Sequence, residues 1–162
     1  MAQVDYFLKI ASVDGESADD KHKGEIEVES FSWGETASAG GPPGGGTGAG
    51  KVQAQDFRFV KKVDKSSSAL MLGCATGQHF KTVILSGRKA GRAPLDYFKI
   101  TMEDVSIASY QVSGVTQSDS LPMDQVSLNF VKLEMSYKEQ KADDSLSAEF
   151  KGKYDFAANK KL

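Results

Sequence analysis

The run from Pro122 to Asp143, PMDQVSLNFVKLEMSYKEQKAD, limits the possible fold more than any other stretch of the chain. Val126, Leu128 and Phe130 alternate with Ser127 and Asn129. After Phe130 the phase slips by one residue, and Val131, Leu133, Met135 and Tyr137 carry the apolar side. Period two marks a half-buried strand, and a one-residue slip between two alternating runs is the trace of a β-bulge. The segment therefore predicts one long, bent strand with an oily face, as used in closed or strongly coiled sheets. A second slip lies upstream. Phe98, Ile100 and Met102 alternate, and Val105 and Ile107 resume on the opposite parity, so Leu95 to Val112 predicts another bent strand, or a strand pair, broken near Glu103 and Asp104.

The other segments follow the same logic. Tyr6 to Val13 alternates with large groups on both sides and predicts a strand covered on both faces. Glu25 to Ser38 predicts a second strand. Its Phe31 and Trp33 share one parity, and large rings dominate burial, so Ser32 should point away from the interior. Val52 to Val63 predicts a strand with Phe57 and Phe59 on one face and Arg58 on the other. Asp64 to Gly77 predicts the one helix, near residues 65–76, capped by Asp64 or Ser66 and stopped at Gly77, with Leu70, Met71 and Cys74 on one face. Lys81 to Arg88 and the segment from Phe150 onward, with Tyr154 and Phe156 on one parity, complete the strands. The expected fold is mainly β: a single-domain β-barrel over 1–162, made of two coiled antiparallel sheets with one flanking helix. Residues 39–50, AGGPPGGGTGAG, hold seven of the 16 glycines and two prolines, and predict a long flexible loop.

Chemistry is sparse. A net charge of −2 favours neither nucleic acid nor an anionic membrane, and no stretch has the length of a membrane span. The N-terminus lacks the basic region of a signal peptide, and a single cysteine forms no internal disulfide. The cytoplasm is the default compartment. Gly45 to Lys51, GGTGAGK, matches the opening of a phosphate-binding loop, but Val52 stands where Ser or Thr must hold magnesium, and a strand pattern follows instead of a helix. Asp19, Asp20 and His22 raise a metal site, against which stands a solvated charged loop over 14–24. Cys74 raises a nucleophile, but no histidine is placed by pattern to activate it. The DFRFVKK segment resembles single-strand binders and equally any half-buried strand. No cofactor, metal or catalytic set emerges. A structural or transport component, a monomeric binding module and a Cys74 enzyme all stay open at this point.

Several motifs then occur together and in order. They are DYFLKI at 5–10, GES at 15–17, DDKHKGEIEV at 19–28, FSWG at 31–34, GKVQAQDFRFVKKVDKSS from Gly50, LMLGCATGQH at 70–79, RKAG at 88–91, ITMEDV at 100–105, SLNFVKLEMSYKEQKAD at 127–143 and YDF at 154–156. With these the chain closely resembles the haemolysin-coregulated protein family, Hcp, the tube protein of bacterial type VI secretion systems. The resemblance implies a non-enzymatic β-barrel subunit forming homohexameric rings, which stack into a hollow tube inside a contractile sheath. It implies a VgrG-type spike at the tip, small effector proteins held in the lumen, and export without a signal peptide. The expected lumen-facing residue is Ser32. The expected ring-stacking loop is Gly41, Pro42, Pro43, Gly44, Gly45 and Gly46. The end of the sequence at Leu162 argues against a fused toxin form.

Overall fold

The computed structural model describes residues 3–37, 51–89, 95–117, 119–143 and 146–162. Strands β1 (Val4–Ile10), β2 (Ile26–Val28), β3 (Ser30–Ser32), β4 (Glu35–Ala37), β5 (Val52–Ala54) and β6 (Phe57–Lys62) precede helix α1 (Ser66–Thr76). After it come β7 (His79–Lys89), β8 (Leu95–Ser113), β9 (Met123–Asn129), β10 (Lys132–Gln140), β11 (Leu146–Asp155) and β12 (Lys160–Lys161). The fold is mainly β with one helix, as the alternating pattern requires. Among the described residues, ten strands form one antiparallel assembly, and β4 and β5 pair separately as a two-stranded ribbon.

The two phase slips face each other. β9 and β10 are the halves of one bent strand, both antiparallel to β8 on the same side, with Ser106 opposite Asn129 and Glu103 opposite Lys132. Two residues lie between those pairs on each strand, so the ladder bends without losing register. Asp104 takes the left-handed conformation there (φ 56), which aspartate tolerates better than most residues. The Val131 N–H donates to the Glu103 carbonyl across the bend (3.0 Å). The core row thus passes from Leu128 and Phe130 to Leu133, and on β8 from Ile100 and Met102 to Val105 and Ile107; all are buried.

The second-strand expectation divides likewise. Residues 25–38 hold three short strands. β2 pairs with β1, and β3 pairs with β6. The switch falls at Glu29, whose N–H donates to the Val60 carbonyl. Ile26 and Val28 are therefore buried while Ser30 and Ser32 are exposed, although all four share one parity. Pairings run from β7 through β1 and β2, across Glu29 to β3, β6 and β9, and back through β8 to β7. Inside lies one apolar cluster that includes Leu8, Phe57, Phe59, Leu85, Met102 and Val126. The sheet continues past it as β10, β11 and β12.

β1 is covered on both faces, as expected: Phe7 and Leu8 are both buried. The segment 52–63 splits into β5 and β6. Because β5 follows Lys51, the context that phosphate binding needs is not present. The helix corrects one expectation. Its buried residues are Ser66, Ser67, Leu70 and Gly73, whereas Met71 is exposed and Cys74 is half-buried. Gly77 stops α1 in the left-handed conformation (φ 66), with the Gln78 N–H returning to the Gly73 carbonyl. At the start, the Asp64 carboxylate accepts the Ser66 N–H (2.8 Å).

Lys61 follows Phe57 and Phe59 on the core-facing row of β6 and is fully buried. Its ammonium group reaches Asp124 (2.8 Å) opposite it on β9, Asp64 (2.9 Å) and the Ser67 hydroxyl (2.9 Å). Tyr110 donates to the other Asp124 oxygen (2.7 Å). Desolvation pushes the Asp124 carboxyl up, but hydrogen bonds from Lys61, Ser67 and Tyr110 outweigh it and hold the group below its ordinary value. Tyr110 is pushed up to about 12 by burial and by Asp124. The network ties α1 to β6, β8 and β9. Removing the cation strands two carboxylates, which typically costs about 3–5 kcal/mol. Lys61→Met should lower the unfolding free energy in urea at pH 7 by about that amount, and Lys61→Met combined with Asp124→Leu should recover much of it.

Candidate interaction surfaces

The described residues contain no group of three or more His, Cys, Asp or Glu arranged to hold a metal. The charged 14–24 segment departs from the solvated loop expected of it, since Ser17 and His22 are buried. Gly15 lets it close: a Cβ there would lie 2.3 Å from the Glu25 carbonyl oxygen. The His22 ring stacks on Phe7 (4.4 Å between centroids), and its nitrogens face Glu25 and Asp96, each at 2.9 Å. Asp19 pairs with Arg88 through both terminal guanidinium nitrogens, and Asp20 is exposed apart from them. Asp19 and His22 are thus consumed in fastening the loop over β1. Cys74 packs against the core, and both histidines are engaged with carboxylates elsewhere.

Ser32 is exposed on the outer face of β3, as its parity against Phe31 and Trp33 implied. Cross-strand pairing sets it in a row with Arg58, Ser127 and Ser109. The neighbouring row is Ser30, Val60, Gln125 and Gln111. Between the rows Phe31, Phe59, Val126 and Tyr110 point inward. The outer face of β3, β6, β9 and the second half of β8 is therefore polar and carries a single charge in these two rows. Gly41, Pro42, Pro43, Gly44, Gly45 and Gly46 lie outside the described residues.

A second surface departs from the sequence expectation. Met135 and Tyr137 continue the Leu133 row but emerge beyond the core, 48% and 44% exposed. Phe150, opposite Tyr137 on β11, is 63% exposed. Beside them a groove of about 280 Å³ is lined by Trp33, Leu133, Met135, Gly152, Tyr154 and Phe156 among others. Among the described residues, a Cβ at Gly152 would meet nothing within 4 Å, and the buried Trp33 Nε1–H finds no acceptor. Tyr154 and Phe156 gave a sequence signal by alternation, but alternation does not say where the core beneath a strand ends.

The family model described as "Type VI secretion system effector, Hcp" matches residues 7–137. The chain belongs to the Hcp family. It is 43% identical over 141 residues to protein Hcp1 of Pseudomonas aeruginosa, covering 86% of each chain. Its fold superposes on the crystal structure of Hcp1 from Salmonella typhimurium with a TM-score of 0.83, at 36% identity and full coverage of both chains. A structure titled as a type six secretion system protein gives a TM-score of 0.93 at 28% identity, over 99% of this chain and all of that one. This Hcp is accordingly a type VI secretion protein, of a family of secreted structural proteins and not of enzymes.

Hydrogen bonding from Arg88, joined by the Lys21 and His22 backbone N–H groups, outweighs partial burial and lowers the Asp19 carboxyl from 3.8 to about 2. A carboxyl lowered on folding adds stability that is complete above the unfolded value and is lost as pH falls through the folded one. Urea midpoints should therefore fall between pH about 4 and about 2 through this pair. Asp19→Asn should be less stable than the parent at pH 5, and the difference should close by pH 2.

Proposed function

We propose that this Hcp is a tube subunit: one barrel domain that assembles into homohexameric rings, which stack into a hollow tube within a contractile sheath behind a VgrG-type spike. The subunit resides in the cytoplasm before firing and leaves through the machine without a signal peptide. The observation that carries the reading is the apolar face of Met135, Tyr137 and Phe150, held on a sheet extension beyond the core. An exposed apolar patch of this kind marks an association surface, and copies of one chain associate in closed symmetric assemblies, of which a ring is one. Family membership supplies the secretion context.

The polar Ser32 face is assigned to the lumen, where small effectors are held and chaperoned. Rows of serine and glutamine offer hydrogen bonds to a passing protein surface without the strong fields that would trap or reject it. The segment Gly41 to Gly46 is assigned to ring-to-ring contact. A glycine- and proline-rich segment loses much entropy on docking, so each contact is weak and stacking depends on its repetition around the ring.

In light scattering, Tyr137→Glu together with Phe150→Glu should convert rings into folded monomers; rings of unchanged mass would remove the reading. Ser32→Arg, a bulky charge beside Arg58, should leave ring mass unchanged and weaken co-purification of effectors several-fold. Undiminished retention of every cargo would take Ser32 out of the lumen.

A further inference from the structure

The alternation that gives β10 and β11 their apolar side gives them a second, unlike side. Ser136 and Lys138 alternate with Met135 and Tyr137, and Glu149 and Lys151 flank Phe150. Ser136 lies opposite Lys151, and Lys138 opposite Glu149. Lys99 of β8 lies opposite Ser136 and shares its side. The same row runs on through Ser86 of β7 to Phe7 of β1, on which the His22 ring stacks. The 14–24 loop therefore packs on this side of the sheet. Lys21, next to His22, is held there because its N–H donates to the Asp19 carboxylate (3.0 Å), which Arg88 grips in turn.

Between the loop and the strands is a cavity of about 260 Å³, lined by Lys21, Tyr97, Lys99, Ser136 and Lys138 among others. Two carboxylates also line it, and both are engaged. Asp96 faces the His22 ring (2.9 Å). Glu149 accepts the Ser136 hydroxyl and faces Lys151 (3.4 Å). Lys21, Lys99 and Lys138 make no ion pair among the described residues. A further ammonium group, from Lys89, stands over the Tyr97 ring (5.2 Å). A concave site with surplus charge of one sign focuses its field and concentrates counter-ions. This one is basic, on a chain whose net charge is −2.

We infer that this cavity binds a compact polyphosphate anion, which bridges the 14–24 loop to the sheet through Lys21, Lys99 and Lys138. The three lysines come from three separate pieces of chain: the loop, β8 and β10. A singly charged anion reaches one or two of them, whereas a short chain of phosphates spans all three. Ammonium groups bind phosphate oxygens as point charges, and no arginine lines the cavity to offer the planar fork that suits a carboxylate. Tyr97 closes one wall with an aromatic ring. A ligand that holds the loop against β8 and β10 binds the folded chain and not the unfolded one, so it raises the melting temperature. The site is independent of the ring reading and lies on the opposite side of β10–β11 from Met135, Tyr137 and Phe150.

The test is calorimetric titration of the full chain with sodium tripolyphosphate at low salt, with sodium sulfate at matched ionic strength as the second ligand. Tripolyphosphate should bind one per chain, more tightly than sulfate, with an affinity that falls as salt is added. Lys99→Gln combined with Lys138→Gln should weaken it about tenfold or more. Lys21→Gln, on the loop, should weaken it several-fold by itself. Lys65→Gln combined with Lys160→Gln removes the same charge at exposed positions outside the cavity and should leave the affinity unchanged. Far-UV circular dichroism and melting show that each variant is folded, and only the unaltered chain and the Lys65/Lys160 variant should gain the full rise in melting temperature with tripolyphosphate. Three results would overturn the site: no saturable binding, sulfate bound as tightly as tripolyphosphate, or equal weakening in the two double variants, which is diffuse attraction to surface charge.

Discussion

The bend shared by β8 and the β9–β10 strand decides what this protein shows to its surroundings. A straight ladder would keep Val126, Leu128, Phe130 and their successors on one side over one flat core. The paired irregularities at Asp104 and at Phe130–Val131 shift both strands together, so the ladder stays hydrogen-bonded while its direction changes. One half of β8 then serves the wall that bears the polar Ser32 rows. The other half supports β10 and β11 beyond the core. A single 19-residue strand thus joins the two surfaces that the proposed function uses.

Around that bend the molecule uses buried charge for placement. Lys61, Asp124, Asp64, Ser67 and Tyr110 fix α1 to three strands. Arg88, Asp19, His22, Glu25 and Asp96 fix the 14–24 loop to β7 and β8, and the His22 ring stacks on Phe7 of β1. Neither set contacts anything that reacts. Buried ion pairs add little net stability compared with apolar packing, but they penalise every misplaced arrangement in which a charge stays unpaired. For a subunit of the proposed ring, which presents the same faces repeatedly, such selectivity is useful. The outer surfaces follow a different rule: mild polarity at the Ser32 face and apolar side chains on β10–β11.

Much of this was legible in the sequence, and the gaps have physical causes. Parity showed Phe31 and Trp33 inward and Ser32 outward, because aromatic burial dominates a short strand. The slips after Phe130 and near Asp104 were each visible, but not that they face each other, since alternation carries no cross-strand register. Parity also put Met135 and Tyr137 on the core side; which side a residue faces is local, whereas the reach of the core depends on distant strands. The 14–24 loop read as solvated because its partners, Arg88 and Asp96, lie 69 and 74 positions from Asp19 and His22. Lys61 shares parity with Phe57 and Phe59, yet only the arrival of Asp124 and α1 makes burying a lysine affordable. Met71 was assigned to the wrong helix face because α1 is short and buries its serines and Gly73, which leave no hydrophobic signature.

The most direct measurement is the mass of the full chain in solution by light scattering, across a range of protein concentration, with negative-stain images of the same peak. A species of six times the 17.4 kDa chain mass, seen as open rings, is the expected result. A particle that stays at 17.4 kDa at every concentration, with Met135, Tyr137 and Phe150 left in water, contradicts it.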